Sequence, residues 1–173
     1  MMKIKVEKLT DVELLKKCMK HIFNVDVKAK LGKWYDSGHS PIRTQMFAIY
    51  CQDVPYSACM QMRTHDKNGA LFLIESGRPD TGTAKEHGRS APRKMFIMCN
   101  AQHLIDWSHK RMCIKAEEAT RTFFKLLADE VRKVDPELSD RLEPMCFYRG
   151  GICGEFKPCG LNLRVGELKY GKC

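Results

Sequence analysis

The sequence contains no long apolar run and none of several well-known nucleotide-binding or protease motifs. No stretch approaches the roughly 18 consecutive apolar residues that a membrane-spanning helix needs. Gly-x-Gly-x-x-Gly, the P-loop and His-Glu-x-x-His are all missing, which argues against Rossmann dinucleotide-binding proteins, P-loop NTPases and zinc metalloproteases. Residues 1–8 have no apolar core followed by a small-residue cleavage site, so the sequence predicts a cytoplasmic protein with no membrane contact.

The composition indicates one basic domain that attracts anions. The chain has 173 residues, of which 43% are hydrophobic, and no polar run divides it. We therefore expect a single domain over residues 1–173. Thirty Lys and Arg against twenty-one Asp and Glu give a net charge of +9, which favours nucleotides, nucleic acid or acidic partners. The basic residues are scattered along the chain, so a nucleic-acid-binding module is the least favoured of these classes.

Cysteine is abundant, but the tight Cys-x-x-Cys pair of many zinc sites does not occur. Without a secretion signal, the nine cysteines indicate burial, reduced thiols or metal binding more than a disulfide framework. We expect those among apolar residues to lie in the core: Cys18, Cys51, Cys59, Cys99 and Cys113. The others fall in a Cys/Gly-rich tail over residues 144–173: Cys146, Cys153, Cys159 and Cys173. This tail set could bind zinc, but free or buried thiols are favoured and no metal ligand is assigned.

Periodicity predicts short strands followed by long C-terminal helices, which is typical of an α+β fold. Strands are expected at residues 4–9, 46–51, 71–74 and 95–99. A capping box over residues 10–13 predicts a first helix that buries Leu15, Cys18, Met19, Ile22 and Phe23. Residues 25–32 and 34–41 are expected to form a connecting region. Further helices are predicted from an Asp53 cap to about residue 65, from an Asn100 cap onward, at 115–134, and in short form at 137–142.

Three arginines on separate local elements indicate a site for a phosphorylated ligand. Arg78 ends Ser76-Gly77-Arg78 after the third predicted strand, Arg89 follows Glu86, and Arg111 lies on the helix that Asn100 begins. Guanidinium groups bind phosphate bidentately, and backbone N–H groups are free where strands meet loops. Gly77 would let the backbone approach a ligand closely. These residues predict a nucleotide-binding protein.

From residue 3 to 160, the order of these features resembles the flavin-dependent thymidylate synthases. Gly38-His39-Ser40 before the second strand resembles the family's Gly-His-x-Ser segment, and residues 54–65 resemble the helix that ends in Arg-His-Arg. Ser76-Gly77-Arg78 matches the family's Ser-Gly-Arg, and the stretch from Glu86 to Pro92 resembles its Glu-x-Ala-Arg-x-x-Leu-Pro segment. Asn100, Arg111 and Ala116 match residues of its long helices, and the tail resembles those of some members.

The resemblance implies an α+β fold, with a mostly antiparallel sheet flanked by long helices, assembled as a homotetramer. It also implies C5 methylation of dUMP or a related pyrimidine nucleotide, with FAD as cofactor and NADPH and methylenetetrahydrofolate as co-substrates. By position, Ser76, Gly77, Arg78, Arg89 and Arg111 would bind the nucleotide, and Arg111 would also be catalytic because a cation stabilises negative charge developing on the ring. His65, Asn100 and, with a one-residue gap, Arg63 would contact the flavin.

The departures from the family pattern fall mainly on the flavin side. Thr64-His65-Asp66 stands where the family has Arg-His-Arg, and Asp106 stands where many members have His. Arg43 and Thr44 replace a Glu and a His, Leu73-Ile74 replaces an Asn-Glu pair, and the segment between Arg78 and Glu86 is short. A carboxylate beside a pyrophosphate repels it. The alternative is therefore a diverged nucleotide-binding protein that has lost flavin chemistry.

Overall fold

The computed structural model describes residues 1–64, 66, 69–78, 80, 82–84 and 87–161. The strands are β1 Lys3–Lys8, β2 Met46–Pro55, β3 Leu71–Ile74 and β4 Pro92–Asn100. The helices are α1 Val12–Phe23, α2 Leu31–Ser37, α3 Tyr56–Thr64, α4 Ala101–Arg111, α5 Glu118–Val134, α6 Pro136–Ser139 and α7 Met145–Tyr148, with a 3-10 helix at Ser40–Thr44. No described helix is long and apolar enough to cross a membrane.

The four strands form one antiparallel sheet in the order β1-β2-β4-β3, with helices packed on one face. Along β4, Met95, Ile97 and Cys99 alternate into the core, as period-two patterning requires. They meet Phe123, Phe124 and other apolar side chains of the helices, chiefly Leu104, Trp107, Leu127 and Val131. The predicted α+β class and the predicted strands are therefore confirmed.

The start of α1 differs from the prediction. Asp11, and not Thr10, is the N-cap residue: its carboxylate accepts a hydrogen bond from Leu14 N at 3.1 Å. The Thr10 hydroxyl instead donates to Thr44 O at 2.6 Å and accepts from Met46 N at 2.8 Å. The predicted capping box is wrong because Thr10 joins α1 to the beginning of β2.

The predicted buried face of α1 is wrong for the second half of the helix. Leu15 is buried, Cys18 and Met19 are half-buried, and Ile22 and Phe23 are 65% and 62% exposed. Helical spacing correctly placed these apolar residues on one side of the helix, but spacing does not tell whether another element covers that side. Within the described residues, the second half of α1 extends beyond the core.

Two expected connections contain ordered structure instead. Residues 25–41 include α2 and the start of the 3-10 helix, and the Tyr35 ring of α2 is buried. Asp53 does not cap a helix, because β2 continues to Pro55 and Asp53 lies at a β-bulge with a left-handed φ of 56°. The next helix starts at Tyr56, where Tyr56 N and Ser57 N donate to Ala91 O and Arg89 O. The long helix α5 begins at Glu118, three residues after the predicted start at Lys115.

A buried charged network joins β1, α2 and the end of α5. Asp135 is 4% exposed, and its Oδ2 accepts hydrogen bonds from Lys8 Nζ and Tyr35 Oη, both at 2.7 Å. Its Oδ1 accepts from Leu138 N at 3.0 Å and so caps α6. Burial and the neighbouring Asp135 carboxylate raise the pKa of Tyr35, which therefore stays a neutral donor. One carboxylate thus positions three elements that are distant in sequence.

The cysteines expected in the core divide into two groups. Cys51, Cys59 and Cys99 are buried as predicted, and burial raises the pKa of Cys51 to about 12 and that of Cys59 to about 11. Such thiols stay protonated and act as small apolar side chains. Cys18 and Cys113 are only half-buried, so the core prediction is wrong for them.

Candidate functional site

The main candidate site is a cleft of about 600 Å³ along one side of α4. The Asn100 side chain begins this helix, accepting a hydrogen bond from His103 N at 3.0 Å, as predicted from its residue type. Steps of three and four residues then align side chains of α4 on the cleft. The lining comprises His103, Asp106, Trp107, His109, Lys110, Arg111, Cys113, Lys115, Ala116, Met145 and Glu155.

Arg111 is the most unusual charged group of the cleft. Its guanidinium is half-buried, and burial is the cause that lowers its pKa. The buried Nε has no hydrogen-bond partner, and Nη1 makes a long contact of 3.4 Å to Gln61 Oε1. No described carboxylate forms an ion pair with it, although Asp106 and Glu155 border the same cleft. A desolvated cation in this state has unused capacity to bind an anion.

Gln61 connects the cleft to the surroundings of Arg89. It projects from α3, and it lines a second depression of about 200 Å³ together with Tyr56, Ser57, Met60, Thr64 and Arg89. Arg89 is exposed, and its carbonyl is fixed by the hydrogen bond from Ser57 N at 2.8 Å. The structure therefore brings Arg89 and Arg111 to α3. Gln61 was not predicted, because a single glutamine on a helix carries no sequence signal.

The Ser76-Gly77-Arg78 segment lies on a closed loop after β3. Ala84 N donates to Ser76 O at 3.1 Å, and Gly82 N donates to Arg78 O at 2.8 Å. The Glu75 carboxylate accepts from Lys94 N at 3.1 Å and from the Thr83 hydroxyl at 3.0 Å, and these bonds lower its pKa. Ser76 and Arg78 are exposed, and within the described residues the Arg78 guanidinium forms no ion pair. The loop thus presents the Arg78 guanidinium at the surface.

Arg93 is a second residue that the sequence did not reveal. It is 5% exposed, its Nη1 donates to Pro92 O at 2.9 Å, and its guanidinium lies 5.4 Å from the centre of the Tyr56 ring. A Cβ atom at Gly77 would stand 3.3 Å from Arg93 Nη2. Arg93 therefore packs between the Arg78 loop and the start of α3. Arg93 could not be identified from the sequence because it occupies an inward position of β4, where the alternating residues are otherwise apolar.

The residues predicted to contact a flavin do not form a cation-lined site in the described part of the chain. Arg63 is exposed at the end of α3, the Asn100 side chain caps α4, and His65 lies outside the described residues. Asp66 Oδ1 is 3.5 Å from His103 Nδ1, although the pair lacks the geometry of a hydrogen bond. An acidic group at this point repels a dinucleotide pyrophosphate, so Arg63 and Asn100 as placed do not supply the cationic contacts that a flavin pyrophosphate needs.

The buried His103 makes stability depend on pH. Burial lowers its pKa below 6.5, while Asp66 and Asp106 act in the opposite direction. The unfolded chain therefore binds the proton more readily, so stability is present above about pH 6.5 and is lost as pH falls toward the folded pKa. We expect His103→Gln to flatten the pH dependence of urea unfolding in this window. The exposed His21→Gln serves as the control, and an unchanged slope in His103→Gln would contradict the prediction.

Gly82 determines the geometry of the Arg78 loop. A Cβ atom there would lie 2.4–2.5 Å from Arg78 O, Arg78 N and Ser76 O, all of which are backbone atoms. We therefore expect Gly82→Ala to rearrange the loop and to weaken nucleotide binding about 10-fold, on the premise that binding requires this loop conformation. Isothermal titration with dUMP measures the effect. Gly154→Ala is the matched control because its Cβ atom would have ordinary room, 3.5 Å from Arg149 Nη1.

No protein-family model and no curated protein matches the chain by sequence. Solved structures with the same fold do match it. Thymidylate synthase X (ThyX) of Helicobacter pylori, solved with FAD and dUMP, is 12% identical with a TM-score of 0.64, covering 81% of this chain and 99% of that chain. The UMP/dUMP methylase PolB of Streptomyces cacaoi, bound to 5-Br dUMP, is 10% identical with a TM-score of 0.60, covering 82% and 94%. The predicted resemblance in fold is confirmed.

Proposed function

We propose that this protein binds a pyrimidine nucleoside monophosphate in the cleft that Arg111 lines. The observation that carries the proposal is the half-buried Arg111 guanidinium, which lines a cleft and has no described anionic partner. Lys110 and Lys115 add positive charge to the same cleft, and the net charge of +9 attracts anions over a longer distance. The dUMP and 5-Br dUMP of the structurally similar proteins support this ligand class.

The reaction that we propose is C5 methylation of dUMP or a related nucleotide. Arg111 stabilises negative charge as it develops on the pyrimidine ring, because its guanidinium is already desolvated and needs no reorganisation. Gln61 orients the Arg111 guanidinium. The family resemblance also assigns nucleotide contacts to Ser76, Arg78 and Arg89, although none of these three lines the Arg111 cleft within this chain. The carbon would come from methylenetetrahydrofolate and the reducing equivalents from FAD and NADPH, as the family resemblance implies.

The second candidate is a nucleotide-binding protein without flavin chemistry. The position of Asp66 favours it, since a carboxylate stands where the family pattern has a cation, with its Oδ1 3.5 Å from the buried His103 Nδ1. The carboxylate of Asp106 is hydrogen-bonded to Gln102 Nε2 at 2.9 Å, which keeps a further acidic group near the same helix face. This candidate shares the nucleotide site and differs from the first in having no redox activity.

Two measurements test these proposals separately. The visible spectrum, recorded before and after incubation with FAD and desalting, reports flavin binding. Thermal unfolding with dUMP, UMP and dTMP reports nucleotide binding. A retained flavin band together with tritium release from C5-labelled dUMP supports the methylase. Nucleotide stabilisation in a colourless protein supports the binding protein. An unfolding temperature that no nucleotide shifts at millimolar concentration overturns the nucleotide site itself.

We also propose that the chain forms a homo-oligomer, with the family's tetramer as the expected state. The sheet face opposite the helices carries an apolar surface that includes Tyr50, Leu71 and Leu73, which are 45%, 45% and 58% exposed. Phe96 continues this surface, its ring lying 5.2 Å from that of Tyr50. An exposed apolar sheet face is typical of an interface. Light scattering after size exclusion tests the oligomeric state, and a monomer would contradict this proposal. The cytoplasmic localisation stays a prediction.

A further inference from the structure

The segment that follows α6 is ordered without an apolar core of its own. None of residues 143–161 is buried: Tyr148, Ile152 and Phe156 are exposed, and Met145, Phe147 and Leu161 are only half-buried. After the short helix α7, residues 149–160 contain no helix or strand. Segments that bury so little apolar surface depend on disulfides, metals or partners for their order.

Four cysteines line one small cavity beside this segment. The cavity has a volume of about 130 Å³, and its lining includes Cys113, Cys146, Cys153 and Cys159. Cys113 comes from the connection between α4 and α5, Cys146 from α7, and the other two from the turns after it. All four side chains therefore border the same small space.

The backbone of the tail is built to bring these thiols together. Gly150 and Gly151 have positive φ angles of 62° and 104°, and Gly151 N donates to Cys146 O at 2.7 Å. This glycine turn reverses the chain between Cys146 and Cys153, because only glycine adopts two such conformations in succession without strain. A second positive φ, of 85°, follows Cys159 at Gly160. These turns therefore bring together cysteines that are widely spaced in the sequence.

We propose that Cys113, Cys146, Cys153 and Cys159 bind one zinc ion as thiolates. Zinc prefers four sulfur ligands in tetrahedral geometry, at about 2.3 Å, and each thiol releases its proton on binding. Among the described residues no group of three or more possible ligands is arranged to hold a metal ion as placed. Zinc binding therefore requires the four thiols to move together by rotation about χ1. Lys110, Lys115 and Arg149 line the same cavity and offset the negative charge of a four-thiolate site.

The zinc site would adjoin the Arg111 cleft and stabilise it. Cys113, Lys115, Met145 and Glu155 border both the small cavity and the cleft. A metal ion that fixes Cys113 therefore also fixes the connection that follows Arg111. The proposal stands on these contacts alone and does not depend on the nucleotide or on its chemistry.

Metal analysis of the full chain tests the proposal. The reduced protein, produced with zinc in the medium and desalted, should retain about one zinc per chain by inductively coupled plasma mass spectrometry. Cys113→Ser and Cys159→Ser should lose it, whereas Cys18→Ser and Cys173→Ser should keep it. Added Co²⁺ should give the intense visible bands of tetrahedral thiolate coordination. Wild-type protein that binds neither metal overturns the proposal, and so does a Cys113→Ser variant that keeps its zinc.

A second measurement avoids dependence on variants that fail to fold. In wild-type protein, a chelator should expose the tail to trypsin at the Arg149–Gly150 bond, and added zinc should restore protection. Cleavage at this bond at the same rate with and without the ion overturns the proposal. A disulfide among the four cysteines in protein purified without reductant, combined with absence of zinc under reducing conditions, also overturns it, since the thiols would then serve as a covalent cross-link.

Discussion

Arg111→Met is expected to raise the Kd for dUMP by about 30- to 140-fold, the equivalent of about 2–3 kcal/mol. The half-buried guanidinium supplies a cation that has no described ion-pair partner, and its removal takes away a bidentate contact that Lys110 and Lys115 in the same cleft cannot make. Arg111→Lys should fall between the wild type and Met, because lysine keeps the charge without the planar fork. Isothermal titration at constant ionic strength measures all three affinities.

The same variant should not destabilise the fold. Burial of the Arg111 guanidinium lowers its pKa, which means that the folded state bears a cost for keeping this charge. Methionine removes that cost and retains the volume, so the unfolding temperature should stay equal or rise. Arg132→Met is the matched control: it removes one positive charge from an exposed pair with Asp140, 57% and 56% exposed. If both variants lost dUMP affinity equally, the effect of Arg111→Met would come only from the change in net charge.

Asp135→Asn is expected to give the largest loss of stability, about 2–4 kcal/mol, or roughly 4–16 °C in Tm. The substitution removes the carboxylate that accepts from Lys8 Nζ and from Tyr35 Oη, and an amide group in its place directs a donor at one of them. The estimate lies below that for a fully buried pair because the Lys8 side chain is 20% exposed. Urea unfolding at neutral pH measures the change.

Asp140→Asn provides the control for this second variant. It makes the same chemical change five residues away, but its partner is the exposed Arg132 at 2.8 Å, and such a pair contributes less than about 1 kcal/mol. If Asp135→Asn destabilises the protein no more than Asp140→Asn does, the buried network does not hold β1, α2 and α5 together. Tyr35→Phe should give an intermediate loss, since it removes one hydrogen bond and leaves the ion pair.

The sequence predicted those candidate site residues whose residue type and immediate neighbours mark them as possible ligand contacts. Arg111, Arg89 and Ser76-Gly77-Arg78 stand out by residue type and by their place after a strand or on a capped helix. Gln61 and Arg93 carry no such signal, because each becomes relevant only through contacts with groups distant in sequence: Arg111 for Gln61, and Tyr56 for Arg93. The nucleotide roles of the predicted residues stay predictions until binding is measured.

The C-terminal tail also shows that sequence spacing does not identify which cysteines lie together. The sequence grouped Cys146, Cys153 and Cys159 by their common segment and added Cys173, but it assigned Cys113 to the core. In the structure Cys113 lines the cavity with the first three, while Cys173 lies outside the described residues. Proximity along the chain is a poor guide to a site whose members come from several elements.

The sequence by itself determined the α+β class, the four strands and the Asn100 cap, because alternation, helical spacing and capping act over a few residues. It also determined that α1 is amphipathic. Only the tertiary structure decided that the far half of that face stays uncovered, that Asp53 forms a bulge, and that Arg111 is desolvated beside Gln61. Burial and partner choice depend on segments that meet only in the folded chain, and no local pattern encodes them.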